Sequence, residues 1–354
     1  MFHPDPGLTY LDTATYGLPP EPTLRAMRQA QEEWAAGTGI WVEWDRQSER
    51  ARAAFARLMG VTSSRVALLP AVSAGVGVVA AALKPGDRVV VPTAEFRSVL
   101  YPLLVARERG VTLVEVDDVD RLVEAIIPGT ALVAITLVQM QNGRVLPVRE
   151  IVERAESVGA RVLVDATHGI PFVRLDELID RIDYLLVAAY KHLLCPRGVA
   201  FLVLRDEHVG RLPAILSSWR ASSTPYTSFF GGPLDLAEGA AGYDASLAWH
   251  PWIGAAESLE LLVQWQDAGA LQEPLALARD LAGRLGIEWG GGTLVCPPID
   301  DADRVRAVLA EHRIKAAFRG TAIRFSTHVY NDTADIERAA KAIGPLVAQA
   351  VGSA

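Results

Sequence analysis

Two charged side chains in one dense apolar stretch are placed for chemistry. Between Arg161 and Leu204 the chain reads RVLVDATHGIPFVRLDELIDRIDYLLVAAYKHLLCPRGVAFLVL, which predicts strand, loop, short helix, strand, loop and strand. The first strand ends on Asp165, and the second, from Ile182 to Val187, runs out through Ala188, Ala189 and Tyr190 to Lys191. Apolar runs of this density suit strands covered on both faces of a parallel sheet. Such sheets bind ligands beyond the carboxyl ends of their strands, so Asp165 and Lys191 share one rim. An acid and an amine there fit a pyridoxal phosphate site, with the lysine as Schiff base and the aspartate holding the pyridinium nitrogen. A lysine held against apolar surroundings has its ammonium destabilised, which favours the neutral, nucleophilic amine. A surface lysine in a loop is the competing reading.

Further candidates lie at the ends of other predicted strands. Ser73, Ala74 and Gly75 join strand 66–69 to a helix, where small residues let backbone N–H groups approach an anion favoured by the helix dipole. Ser73 as a plain N-cap is the alternative. Phe96 follows strand 88–91 and is read as either a stacking surface for a flat ring or a core phenylalanine. Gln139 opens QMQN after strand 131–137, where an amide can hydrogen-bond a ring oxygen, although Asn142-Gly143 is also an ordinary turn pair. His168, three residues after Asp165, can bind a phenolate oxygen and influence a neighbouring imine, or serve structure alone. Arg324, inside the apolar strand 322–326, calls for a planar anion such as a substrate carboxylate, or for an internal salt bridge. The seven histidines are scattered and show no metal-binding pattern. No G-x-S-x-G, G-x-G-x-x-G or Walker motif supports a hydrolase or nucleotide-fold reading.

The elements that must hold these residues follow a βα rhythm. Strands at 66–69, 88–91, 111–116 and 131–137 alternate with helices at 73–83, 97–109, 119–127 and 147–159. That order predicts an α/β fold whose large domain has a mostly parallel sheet flanked by helices. Before it come an extended arm at 8–11 and helices at 21–36 and 44–59, with Trp41 and Trp44 at their join read as core packing. The 205–250 region is rich in Ser, Thr, Gly, Pro and aromatics and is read as a functional or interface loop. Helices at 252–267 and 271–285, strands at 293–296, 314–318 and 321–326, and helices at 301–312 and 333–350 predict a small α+β domain. The division expected is 1–250, with an arm over 1–20, and 251–354. With 354 residues, half of them apolar, and a net charge of −8 without basic runs, the composition argues against nucleic acid and anionic membranes as partners. Two cysteines, Cys195 and Cys296, no visible signal peptide and no span-length apolar stretch lead to the expectation of a cytoplasmic enzyme.

Taken in order, three motifs carry a family resemblance over nearly the whole chain. They are Y-L-D-x-A-x-x-G at Tyr10 to Gly17, V-D-A-x-H at Val164 to His168 with D-Y…Y-K at Asp183 to Lys191, and R-F-S-x-H-x-Y-N at Arg324 to Asn331. Together they resemble the class V aminotransferase family of fold-type I pyridoxal phosphate enzymes, on the branch of isopenicillin N epimerase-like proteins and cysteine-conjugate C–S lyases. The resemblance implies Lys191 as the Schiff-base lysine, Asp165 at the ring nitrogen, His168 near the ring O3′ and Phe96 as the ring stacker. It also implies Ser73, Ala74 and Gly75 at the phosphate, and Arg324 as the carboxylate anchor, with Tyr16 also on the substrate side. Ala188 and Tyr190 stand where many relatives have a phosphate-binding Ser and His. Phosphate binding is therefore expected from elsewhere, from Tyr190 or from the 222–247 loop of a partner in a homodimer with shared sites. Residues 316–320 are short and lack the nucleophilic cysteine of persulfide-forming desulfurases.

The expected function is an enzyme acting on a small amino-acid substrate joined to the cofactor, best read as β-elimination of a C–S bond in a cysteine-type conjugate in specialised biosynthesis. Transamination and epimerisation are the alternatives within the family, and a non-catalytic cofactor-binding regulatory protein is the alternative outside it.

Overall fold

The computed structural model describes residues 1–347. In chain order its strands are β1 (Thr9–Tyr10), β2 (Val66–Leu69), β3 (Arg88–Pro92), β4 (Thr112–Val116), β5 (Thr130–Thr136), β6 (Arg161–Asp165), β7 (Tyr184–Ala188), β8 (Ala200–Leu204), β9 (Leu294–Val295), β10 (Ile314–Lys315), β11 (Ala317–Arg319) and β12 (Ala322–Ser326). The main sheet has seven strands in the order β2-β8-β7-β6-β5-β3-β4. Strands β4, β3, β5, β6 and β7 are parallel, while β8 runs antiparallel to both β7 and β2.

The all-apolar strands are buried on both faces because successive side chains point to opposite sides. Val162 and Val164 of β6, with Leu185 and Val187 of β7, enter the core that also holds Trp252, Leu259 and Leu262 of helix Trp249–Asp267. Leu163, Tyr184 and Leu186 enter the opposite core, with Val76 of helix Val72–Ala81 and Leu103 of helix Arg97–Arg107. A third core gathers Leu11, Leu281, Phe325 and Ile343 around the three-stranded sheet β11-β12-β9.

This arrangement moves the expected boundaries. Helix Trp249–Asp267 belongs to the first core, so the change of core falls between Leu271 and Leu277 rather than at 250. The N-terminal arm is joined to the C-terminal part, since β1 pairs in parallel with β10 and Leu11 is buried there. The strand read at 314–318 divides, with β10 pairing to β1 and β11 to β12. Helix 119–127 shrinks to a 3-10 turn, Val119–Arg121, and Leu122–Ala125. The second N-terminal helix starts at Trp41 rather than Trp44, because Ile40 is still extended. Helix 333–350 is Thr333–Val347, and its last predicted residues lie outside the described ones.

The 205–250 segment is tied down by buried charge. The Arg220 guanidinium lies 3.3 Å from Asp45 and also pairs with Asp244. Asp244 pairs with Arg52 and accepts from the backbone N–H of Leu68 at 2.8 Å. Trp41 and Trp219 lie edge to face at 5.5 Å, and Trp41 stacks on Trp249 at 5.8 Å, so Trp41 packs on this segment, partly buried and outside the cores in which it was expected.

Candidate active site

Parallel order brings five strand ends to one rim, and β2 adds a sixth because it also runs parallel to β7. Loops leaving that rim, together with the segment entering β8, line a single cavity. Ser73, Phe96, Gln139, Asp165, His168, Tyr190 and Lys191 all contribute to its wall. Seven predicted residues from five segments therefore meet in one place.

Lys191 is buried, and its Nζ lies 2.9 Å from His168 Nε2. Burial brings the amine down to about 7, opposed by Asp165 and reinforced by the charges of Arg324, Arg319 and Arg197. Burial, reinforced by Lys191, holds the His168 imidazole well below its ordinary range, so it is neutral at pH 7. The expected position of His168 beside a ring oxygen acquires a second aspect, contact with the lysine itself. Lys191 Nζ also stands 5.5 Å from the centre of the Phe96 ring and 5.7 Å from that of Tyr190.

Asp165 is buried at the end of β6, and both its hydrogen bonds fall on Oδ1, from the Thr167 backbone N–H at 3.0 Å and the Thr167 hydroxyl at 2.5 Å. Thr167 in turn accepts from the N–H of Ala188 at 2.9 Å, which locks the ends of β6 and β7 together. Burial pushes the carboxyl up despite these donors and the Lys191 charge. A buried carboxylate on a cavity wall with incomplete compensation is suited to a cationic partner.

Three assignments change. Helix Val72–Ala81 is capped by Ala71, with no side-chain cap bond, so Ser73 is inside the first turn and is not the N-cap. Ser73 lines the cavity. Ala74 and Gly75 do not line it. A Cβ on Gly75 would overlap Leu186 Cδ2 and come within 2.9 Å of Leu69 Cδ1, so this glycine serves helix–sheet packing. Arg324 and Tyr16 also lie outside the wall. Arg324 is fully buried, donates through Nη2 to Thr15 Oγ1 at 2.9 Å, and keeps Nε and Nη1 without partners. Burial, followed by the nearby Arg319, brings this guanidinium down to about 10. Two free N–H sites on one rigid fork match the two oxygens of a carboxylate. Tyr16 is half-exposed, with its ring 6.0 Å from that of Tyr190.

Sequence reasoning passed over Glu95, Thr15, Thr167 and Arg197. For Glu95, Thr15 and Thr167 the nearest signal was position, since each flanks a residue that was singled out, whereas Arg197 had no such neighbour. Glu95 accepts from the N–H of Phe96 at 2.6 Å and of Thr136 at 2.8 Å, as well as from the Thr136 hydroxyl. It thereby fastens the Phe96 loop to the end of β5. Burial raises its carboxyl from 4.5 to about 7. The folded state therefore favours the protonated form, a contribution present below pH 4.5 and lost as pH rises through about 7. Thermal unfolding of wild type should show a loss of about 1–3 kcal/mol between pH 5 and pH 8 that Glu95→Gln lacks. Parallel pH curves for the two proteins would refute this.

Gly17 lies against the other side of the lysine. Its N–H donates to the Tyr190 carbonyl at 3.0 Å, and a Cβ there would overlap the Lys191 carbonyl oxygen. Gly17→Ala should cost about 1–3 kcal/mol by forcing backbone apart. An unchanged denaturant midpoint would count against it.

Away from the cavity, Asp183, Glu207 and His208 bring ligand-type atoms within 4.8 Å of one another, a grouping that sequence spacing had not suggested. Arg205 lies 3.2 Å from Glu207 and 3.8 Å from Asp183, so the group already has a counter-charge.

The family model for aminotransferase class-V matches residues 9–285. The chain belongs to this family. Members of the class-V aminotransferases are pyridoxal-phosphate-dependent enzymes. This class-V chain is 28% identical over 340 residues to isopenicillin N epimerase of Streptomyces clavuligerus, covering 85% of this chain and 84% of that one. It is 32% identical over 221 residues to a probable cysteine desulfurase of Methanothermobacter thermautotrophicus, covering 58% of this chain and 55% of the relative. Among solved structures, the cystine C–S lyase C-DES in complex with its product cysteine persulfide superposes with a TM-score of 0.83 at 20% identity, covering 96% of this chain and 98% of that one.

Proposed function

We propose that this class-V chain is a pyridoxal phosphate enzyme that breaks a C–S bond in a cysteine-type substrate by β-elimination. The observation that carries the reading is the 2.9 Å approach of Lys191 Nζ to His168 Nε2 in a cavity that also presents Asp165. The residues fit the cofactor. A buried carboxylate awaits a cation, an amine is brought down to about 7, and Phe96 offers a ring face. Bound there, pyridoxal phosphate supplies an aldehyde for amines and a protonated ring that draws electrons from the substrate Cα.

The side chains divide the remaining work. Asp165 keeps the ring nitrogen protonated, held in place by Thr167. Arg324 binds the α-carboxylate through Nε and Nη1, its free donors. Lys191, its amine brought down to about 7 and so partly neutral at pH 7, would take the Cα proton once freed from the cofactor, and His168 Nε2 stays within hydrogen-bond reach of that amine. Among the described residues Lys191 is the one amine on the cavity wall, which supports it as the base at the substrate Cα. Among the described residues no cysteine lines the cavity, and burial pushes Cys296 up to about 12 and Cys195 well above its ordinary value. A persulfide carried on the protein is not part of this reading. The expected assembly is a homodimer, supported by Phe230 and Leu234, which are 95% and 82% exposed on the 205–250 segment.

Release of pyruvate and ammonium from S-substituted cysteines tests the proposal. Amino transfer to a keto acid without pyruvate would establish transamination in its place, and inversion at Cα without pyruvate would establish epimerisation.

A further inference from the structure

The Lys191 cavity carries a second cation that the reaction above does not use. Antiparallel pairing of β2 with β8 ends at Leu69 opposite Ala200. Past that pair the two chains continue on the same rim. One passes through Pro70 and Ala71 into the first turn of helix Val72–Ala81, and the other runs back through Val199 and Gly198 to Arg197. The register therefore brings Arg197 beside the end of a helix whose first N–H groups have no partner within it. Arg197, Gly198, Ser73 and Tyr190 all line the cavity.

Arg197 makes no ion pair or side-chain hydrogen bond among the described residues. Its guanidinium rests over the Tyr190 ring at 5.2 Å, a contact that positions the planar group without using its donors. Its charge is felt at the Lys191 amine, across the same space. A cation without an ion pair, a serine and a helix N-terminus around one corner of a cavity, with no carboxylate bound to the cation, fit a multiply charged anion.

We infer that Arg197 is an anion-binding residue of this cavity and takes the 5′-phosphate of the cofactor, together with Ser73 and the first turn of helix Val72–Ala81. The inference rests on the cofactor reading above and deepens it. In this chain the positions at Ala188 and Tyr190 carry no cationic side chain, and Arg197 supplies the charge from the other side of β8's entry.

The test compares two ligands on the cofactor-free full-length protein, pyridoxal phosphate and phosphate-free pyridoxal, each titrated by visible absorbance and tryptophan fluorescence. Arg197→Ala should weaken pyridoxal phosphate about tenfold to a hundredfold while leaving pyridoxal within about twofold, and Arg197→Lys should fall between. Thermal unfolding of the cofactor-free variants, expected to match wild type because the side chain is exposed, separates this from misfolding. Equal affinity of Arg197→Ala and wild type for pyridoxal phosphate would overturn the inference, and so would equal weakening of both ligands. Wild type that binds neither ligand would overturn the cofactor reading itself, and the inference with it.

Discussion

Replacing Lys191 with alanine should abolish the visible absorption band of the purified protein and lower kcat by at least about 10², the usual contribution of a positioned base. The effect is large because one atom does two jobs. In the proposed reaction Lys191 Nζ would capture the cofactor aldehyde and would also serve as the base at the substrate Cα. Both jobs need the neutral form, and burial supplies it by bringing the amine down to about 7. The contact with His168 at 2.9 Å fixes where that amine points. Lys191→Arg should not restore either signal, since a guanidinium stays protonated and cannot form the imine. Colourless wild-type protein that remains colourless with added cofactor would defeat the assignment, and so would a band that survives in Lys191→Ala.

Arg324→Ala should reduce kcat/KM for α-amino acids by about 30-fold to several thousand-fold, equivalent to about 2–5 kcal/mol for a buried charge pair that is no longer made. The guanidinium is fully buried, with Nε and Nη1 unpartnered and only Nη2 satisfied, by Thr15. Such a group costs stability while unpaired, and in the proposed function the substrate carboxylate would pair with it. Two consequences separate a carboxylate anchor from a structural arginine. Arg324→Ala should discriminate poorly between an amino acid and its decarboxylated amine, whereas wild type strongly prefers the acid. The variant's denaturation midpoint should also not fall by the full amount of the kinetic loss, because no internal salt bridge is removed. Unchanged kinetics in Arg324→Ala would reject the role.

The competing sequence reading of Arg324 as half of an internal salt bridge finds no partner in the structure, which supports the carboxylate-anchor proposal. No carboxylate contacts the guanidinium among the described residues. A strand pattern shows that a charged side chain interrupts an apolar run, but the partner comes from Thr15, 309 residues away, and adjacent residues carry no trace of it.

What could be read from the chain alone was whatever neighbouring residues encode. Alternation along β6 and β7 announced strands covered on both faces, and the polar residues just past their ends announced the rim, so Asp165, His168 and Lys191 were legible together with the α/β class. Positions at the ends of other predicted strands and inside the apolar strand 322–326 extended this to Phe96, Ser73 and Arg324, and the family resemblance added their expected roles. Tertiary structure decided what depends on distant pairings. The antiparallel turn of β8 sets Arg197 beside the helix at Ser73, Gly75 belongs to packing against Leu186 and not to the cavity, and the arm at Thr9–Tyr10 joins the C-terminal core through β10. It also decided the protonation of the site, because burial lowers Lys191 and raises Glu95, and burial is a property of everything that surrounds a residue in space. Hydrophobic periodicity is local and survives in a one-dimensional string, whereas desolvation and register arise only when segments far apart in the chain close on one another.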